Sequence, residues 1–168
     1  MRNVSILGCG WLGKPLAISL LDDGYSLKGS TTKEEKLALL EDNNIEPFIV
    51  DISSFEEFDD FLHTDILIIA ITSKDIDGFE HLITQIENSI IQKVIFISST
   101  SVYARANKVM TEDDENLNTP LSAIENLFRE NTFFETTIFF MNHIHKSFRL
   151  WNFSSIIKPI GRVSFITK

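Results

Sequence analysis

Apolar residues fall in short blocks along the chain, and their spacing switches repeatedly between that of strands and that of helices. Asn3–Leu7 predicts a first strand. Leu12, Leu16, Ala17, Leu20 and Leu21 then recur at the spacing of one helical face. That pattern stops at Asp22-Asp23-Gly24, where Gly24 suits a left-handed helix C-terminus. Tyr25–Gly29 predicts a second strand, Lys33–Leu40 a short helix with Thr32 as its N-cap, and Glu46–Val50 a third strand. Phe55, Phe58, Phe61 and Leu62 form a helical stripe over Phe55–Leu62, and its phenylalanines are expected in the core together with Phe79. Ile66–Ile71 is continuously apolar, as a parallel strand buried on both faces requires. Gly78–Ile91 predicts an amphipathic helix with Phe79, Leu82, Ile83, Ile86 and Ile90 inward. Val94–Ser98 predicts a fifth strand, Ala104–Pro120 a polar loop, Leu121–Asn131 a helix and Thr136–Phe140 a sixth strand.

Such alternation specifies βαβ units, because parallel neighbours need a long crossover connection, usually a helix. The expected class is α/β, a doubly wound parallel sheet of five or six strands with helices on both faces. With 168 residues and 43% hydrophobic content, the chain has material for one domain. Its single cysteine, Cys9, excludes a disulfide within the chain and with it a secreted disulfide scaffold. The apolar stretch before Gly8 is too short for a signal peptide or a membrane span, so a soluble cytoplasmic protein is expected, without a membrane partner.

Charge changes the picture in two ways. A net charge of −9 disfavours nucleic acid, whose phosphates require a basic surface. All 24 acidic residues precede Thr136, whereas Thr136–Lys168 holds Lys146, Arg149, Lys158, Arg162 and Lys168 and no acid. Half of the 14 phenylalanines fall at or after Phe133. The chain is therefore expected to divide into a sheet domain over residues 1–135 and an atypical basic, Phe-rich tail over 136–168.

The candidate chemistry begins directly after the first strand, at Gly8-Cys9-Gly10-Trp11-Leu12-Gly13. G-x-G-x-x-G alone is a weak signal, but here it joins a strand to a helix within a βαβ unit. Gly8 serves the tight turn, Gly10 lets backbone approach a pyrophosphate without a Cβ, and Gly13 lets helix and strand pack closely. The helix N-terminus offers unpaired N–H groups and a partial positive charge to phosphates, and Pro15 in its first turn sacrifices nothing. The implied partner is a dinucleotide cofactor. At the end of the second strand an acidic residue would select NAD through the ribose 2′-OH, but the chain reads Gly29-Ser30-Thr31-Thr32-Lys33. Small hydroxyls and a lysine favour NADP, with NAD as the alternative; the same hydroxyls could instead only cap the next helix. Asp51 and Ile52 follow the third strand, where a carboxylate can accept from the adenine amino group; capping of the next helix falls more naturally to Ser53 or Ser54. The candidate cofactor-binding set is thus Gly8, Gly10, Trp11, Leu12, Gly13, Ser30, Thr31, Lys33, Asp51 and Ile52.

Ile97-Ser98-Ser99-Thr100-Ser101-Val102-Tyr103, taken with the glycine loop about ninety residues earlier, resembles the extended short-chain dehydrogenase/reductases of the NAD-dependent epimerase/dehydratase family, in an atypical form. The resemblance covers about residues 1–131. It implies an oxidoreductase or epimerase acting on a sugar nucleotide or a small alcohol or carbonyl, with Ser99, or its neighbour Thr100, bonding the substrate oxygen. Family chemistry also needs a Tyr acid/base with a Lys four residues on. Those positions fall on Leu121 and Glu125, and Tyr103 matches the structural Val-Tyr rather than the acid. The resemblance therefore leaves the usual proton transfer unassigned, and a non-catalytic dinucleotide-binding module is the alternative. No Arg-containing, Gly/Pro-rich segment of a substrate domain follows Thr136, where the acids also stop; this implies a truncated or frame-shifted reading of a longer gene, a natural short variant being the alternative.

The remaining features carry less. Cys9 lies before a helix N-terminus that could lower its pKa, but it lacks a neighbouring base and is expected to fill the loop. His143 and His145 are two ligands where a zinc site needs three or four, so no metal is expected. Glu112–Glu115 reads as a solvated loop. Trp151, Phe153, Ile156 and Ile157 offer an apolar patch for a partner, a homo-oligomer among the candidates, or for a sheet edge.

Overall fold

The computed structural model describes residues 2–99, 119–141 and 163–165. Seven strands among these form one sheet in the order β3-β2-β1-β4-β5-β6-β7. They are β1 Asn3–Leu7, β2 Ser26–Thr31, β3 Glu46–Ile49, β4 Ile66–Ile69, β5 Lys93–Ser99, β6 Glu135–Met141 and β7 Val163–Phe165. Every pairing is parallel. The helices are α1 Gly13–Asp22, α2 Leu37–Glu41, α3 Asp59–Leu62, α4 Ile76–Glu87 and α5 Pro120–Glu130.

The chain builds outward from β1 in one direction through β2 and β3, then crosses back to build β4 to β7 on the other side. Right-handed crossovers therefore put α1 and α2 on one face and the later helices on the other. Two cores result. Leu16, Ala17, Leu20 and Leu40 pack on Val4, Ile6, Ile66, Ile68 and Ile95. Phe61, Phe79, Leu82, Ile86, Ile124 and Phe128 pack on Leu7, Leu67, Ile69, Val94 and Phe96. Alternation along each strand supplies both sets. The run at Ile66–Ile69 is buried on both sides, as its continuous apolarity requires. Pro47 sits in the edge strand β3, where its missing N–H also blunts edge-to-edge pairing.

Several expectations are corrected. The predicted helix at Lys33–Leu40 is a 3₁₀ turn, Glu34–Lys36, followed by α2, and its start has no side-chain cap from Thr32; Thr31 Oγ1 instead accepts from the Lys33 amide at 3.2 Å. The predicted helix at Phe55–Leu62 shrinks to α3, preceded by a 3₁₀ turn at Ile52–Ser54. Phe55 is 55% exposed rather than in the core, because it caps that turn in the left-handed region. Ile90, expected inward, is 52% exposed, because α4 ends at Glu87 and the helical period no longer carries it toward the sheet. Beyond residue 135, β6 and β7 continue the same sheet.

Two contacts hold the less regular β3–α3 region. Lys28 reaches the carbonyls of Asp60 and His63 at the end of α3, with its ammonium 5.5 Å from the Phe48 ring centre. Gly78 lets α4 approach the Ile52–Ser54 turn, since a Cβ there would lie 2.9 Å from Ile52 O. No helix among the described residues is long and apolar enough to cross a membrane.

Candidate dinucleotide site

The order reversal occurs between β1 and β4, and the loops leaving their carboxyl ends diverge to opposite sides of the sheet. The crevice this opens is where doubly wound sheets bind ligands. The glycine loop, Thr31–Lys33, Asp51 and Ser99 all follow or end strands at this same edge. Topology thus brings together residues separated by up to ninety positions.

Each glycine of the loop has a distinct steric reason. Gly8 has φ +95, and a Cβ on it would meet Ile71 Cγ2 at 2.5 Å and Ala70 O at 3.1 Å. At Gly13 a Cβ would lie 2.2 Å from the Gly8 carbonyl oxygen, so the turn and the start of α1 interlock through backbone. At Gly10 nothing lies within 4 Å of the Cβ position. Its missing side chain serves no internal packing and leaves open a space beside the loop amides. That cradle fits a pyrophosphate.

The N-terminus of α1 is prepared for an anion in another respect. Its N-cap, Leu12, makes no side-chain cap bond, and no acid lies in the first turn. By contrast, Asp75 caps α4 by accepting from the Gly78 amide at 3.1 Å, and Thr119 with Ser122 forms a reciprocal capping box on α5. The amides of Gly10 and Leu12 have no partner among the described residues. Trp11 between them is 70% exposed.

The loop is tied to β2. Gly8 N donates to Ser30 Oγ at 2.9 Å, and Cys9 N donates to Ser30 O at 2.7 Å. Ser30 itself is 1% exposed. The Cys9 sulfur occupies the space that a Cβ on Gly29 would need, 2.7 Å away. Burial pushes the Cys9 thiol up to about 12, against a smaller lowering by the Ser30 backbone bond. Cys9 thus fills the loop as expected, because its sulfur packs into the core rather than toward the α1 amides. Gly29 was not among the candidate residues, although a glycine inside a strand signals a close approach.

Thr31 is partly exposed, and Thr32 and Lys33 are exposed. The Asp51 carboxylate accepts from the Ser53 amide at 3.0 Å, so Asp51 does the capping expected of Ser53 or Ser54. It remains exposed. Ile52, by contrast, is buried in the core beneath α4.

Ser99 ends β5, in register with Met141. Thr100, Tyr103, Glu112–Glu115, His143, His145 and the Trp151–Ile157 patch lie outside the described residues. On α5, Leu121 packs against the core. Glu125 is 0% exposed, accepts from the Ser98 hydroxyl and pairs with Arg129 at 3.2 Å. A carboxylate therefore ties α5 to the end of β5 where the resemblance would place a lysine. Sequence spacing gave no sign of it, since Ser98 and Glu125 are 27 residues apart.

Among curated proteins, the chain is 27% identical over 125 residues to Protein YeeZ of Escherichia coli, a match covering 67% of this chain and 46% of that protein. The chain thus spans about half the length of the curated relatives it matches. Solved structures share the fold. Vestitone reductase from alfalfa superposes with a TM-score of 0.70 at 19% identity, over 84% of this chain and 56% of that one. The UDP-Glc/GlcNAc 4-epimerase of Campylobacter jejuni gives 0.69 at 17% identity, over 83% and 53%. The family model described as the NAD binding domain of 6-phosphogluconate dehydrogenase matches residues 3–121, from β1 into α5 and through the whole glycine loop, and it is to this family of dinucleotide-binding domains that the chain belongs.

Proposed function

We propose that this chain binds NADP in preference to NAD, and that it is the cofactor-binding part of an epimerase- or reductase-type oxidoreductase acting on a sugar nucleotide or a small alcohol or carbonyl compound. The observation that carries this reading is the glycine loop at the switch point, with open space at Gly10 and an uncapped α1 behind it. In this reading the amides from Gly10 to Gly13 hold the pyrophosphate. Thr31 and Lys33 meet the 2′-phosphate, and the exposed Asp51 carboxylate accepts from adenine. Bound there, the nicotinamide would supply a hydride acceptor or donor. Ser99, or Thr100 after it, would bond the substrate oxygen beside it. The cytoplasm is the compartment proposed.

Calorimetric titration with both dinucleotides tests the cofactor reading. Lys33→Glu replaces attraction by repulsion at an exposed position, and exposed charge contacts are worth about 1 kcal/mol or less each. Losing the attraction and adding a repulsion should therefore weaken NADP by up to about thirtyfold and leave NAD nearly unchanged. An equal loss for both makes Lys33 a surface residue and removes the NADP assignment.

A second reading, a dinucleotide-binding module without turnover, is favoured by the buried Glu125 and core-packed Leu121 at the two acid/base positions. General acid–base help is worth ~10²–10⁴ in rate. A turnover assay with NADPH and NADH over carbonyl and sugar-nucleotide panels separates the two. Turnover abolished by Ser99→Ala supports the oxidoreductase, and tight dinucleotide binding with no turnover supports the module.

A further inference from the structure

We propose that Ser30 is a positioning residue of the phosphate loop, acting from behind it on every pyrophosphate-bearing ligand alike, and not a contact to the cofactor's ribose. This rests on the dinucleotide reading above and specifies how the loop is held ready. Ser30 sits at the end of β2, where sequence alone points to ribose or 2′-phosphate recognition. The structure turns it the other way. Its side chain is buried, and its hydroxyl oxygen accepts the Gly8 amide at 2.9 Å. Its carbonyl accepts the next amide, from Cys9, at 2.7 Å.

One residue therefore takes up the first two N–H groups of the loop. Gly8 and Cys9 cannot donate to a ligand while those bonds stand, so donation to phosphate begins at Gly10. The same two bonds oppose a real liability. Gly8 has positive φ, and glycine has more backbone freedom to lose than any other residue. A loop of this composition left untied would spend part of each ligand's binding free energy on ordering itself. Other anchors hold the rest of the loop: the Gly8–Gly13 interlock, the Cys9 sulfur against Gly29, and the Lys14 amide donating to Gly10 O at 3.2 Å. None of these takes up the Gly8 amide. The Ser30 hydroxyl does that at the residue where β1 becomes loop.

Ser30→Ala removes one oxygen from a site with ample backbone support and should fold. The hydroxyl bond lost has a net worth of about 1 kcal/mol, which as lost preorganisation is roughly fivefold in affinity. ADP-ribose, NAD and NADP should all weaken by that same factor. Adenosine 2′-monophosphate, which has the 2′-phosphate but no pyrophosphate, should bind as to wild type. In the unliganded variant the Gly8 amide should exchange with solvent markedly faster. Ser5→Ala is the control for general loosening: it removes a buried hydroxyl bond from β1, the strand that leads into the loop, to Phe61 O of α3, and should lower stability with no change in ADP-ribose affinity. A loss confined to NADP and adenosine 2′-monophosphate overturns the proposal and makes Ser30 a direct contact. Unchanged ADP-ribose affinity, or unchanged Gly8 exchange, also overturns it. Wild-type protein that binds none of the four ligands refutes the dinucleotide reading, and this inference with it.

Discussion

Two glycines of one loop, three residues apart, should respond oppositely to a side chain. At Gly13 an alanine Cβ would stand 2.2 Å from the Gly8 carbonyl oxygen, 3.0 Å from its carbon and 3.1 Å from Ile6 Cγ2. The first two are backbone atoms of a turn already fixed by positive φ, so relief requires the turn or the start of α1 to move by about an ångström, with an overpacking cost of ~1–3 kcal/mol. Alanine gains at most ~1 kcal/mol over glycine in a helix, and less at the first helical position. The clash wins, by about 1–2 kcal/mol, and a chain of this size should lose roughly 2–8 °C of Tm. At Gly10 the Cβ position is open and φ is not positive, so Gly10→Val should leave Tm within about 2 °C of wild type. Its cost falls on the ligand. A branched side chain there blocks approach to the loop amides, and losing two hydrogen bonds to a charged group, at ~1.5–3 kcal/mol each, predicts an affinity loss of at least about 100-fold for NADP and NAD together. Thermal melts and calorimetry on the two variants check both halves. Unchanged dinucleotide affinity in Gly10→Val refutes the phosphate-loop assignment, and an unchanged melt in Gly13→Ala refutes the packing argument.

Two further predictions concern buried groups. Glu125→Leu removes the acceptor of the Ser98 hydroxyl inside the core and one partner of Arg129, so it should cost about 2 kcal/mol and several degrees of Tm. Glu125→Lys, which restores the residue type that the resemblance expects, should be worse, because it buries a cation beside Arg129; a melt equal to wild type would show that the site tolerates either charge. Cys9, its pKa raised to about 12, is neutral in the folded state and ionises more readily when unfolded. Its contribution is therefore complete below about pH 9 and lost progressively toward pH 12. Wild type should lose more stability than Cys9→Ala over that range, and Cys9 should resist alkylation at pH 8 in the folded protein; rapid labelling there contradicts its burial.

The order of elements was legible in the sequence because each carries its own period. The apolar run Ile66–Ile71 reads as a doubly buried strand, realised over Ile66–Ile69, and Gly8, Gly10 and Gly13 announce a turn between strand and helix whatever lies elsewhere. Local sequence could not fix boundaries where tertiary packing outweighs period. Phe55 reads as part of a helical stripe, yet it ends a 3₁₀ turn facing solvent, because Asp51 caps that turn and the chain must redirect before α3. Nor could it say which way a side chain on β2 points. Ser30 and Gly29 differ by one position, and the two-residue period of a strand sends one side chain to the Gly8 amide and leaves room for the Cys9 sulfur at the other. Glu125 looked like a vacancy in a motif, and only the approach of α5 to β5 showed it as the acceptor of the Ser98 hydroxyl. The sequence by itself determined the glycine turn between β1 and α1, since steric demands on neighbouring residues are local. Only the tertiary structure decided which polar groups face a ligand and which are spent holding the loop and α5 in place, because that depends on partners that the chain brings together across 22 and 27 residues.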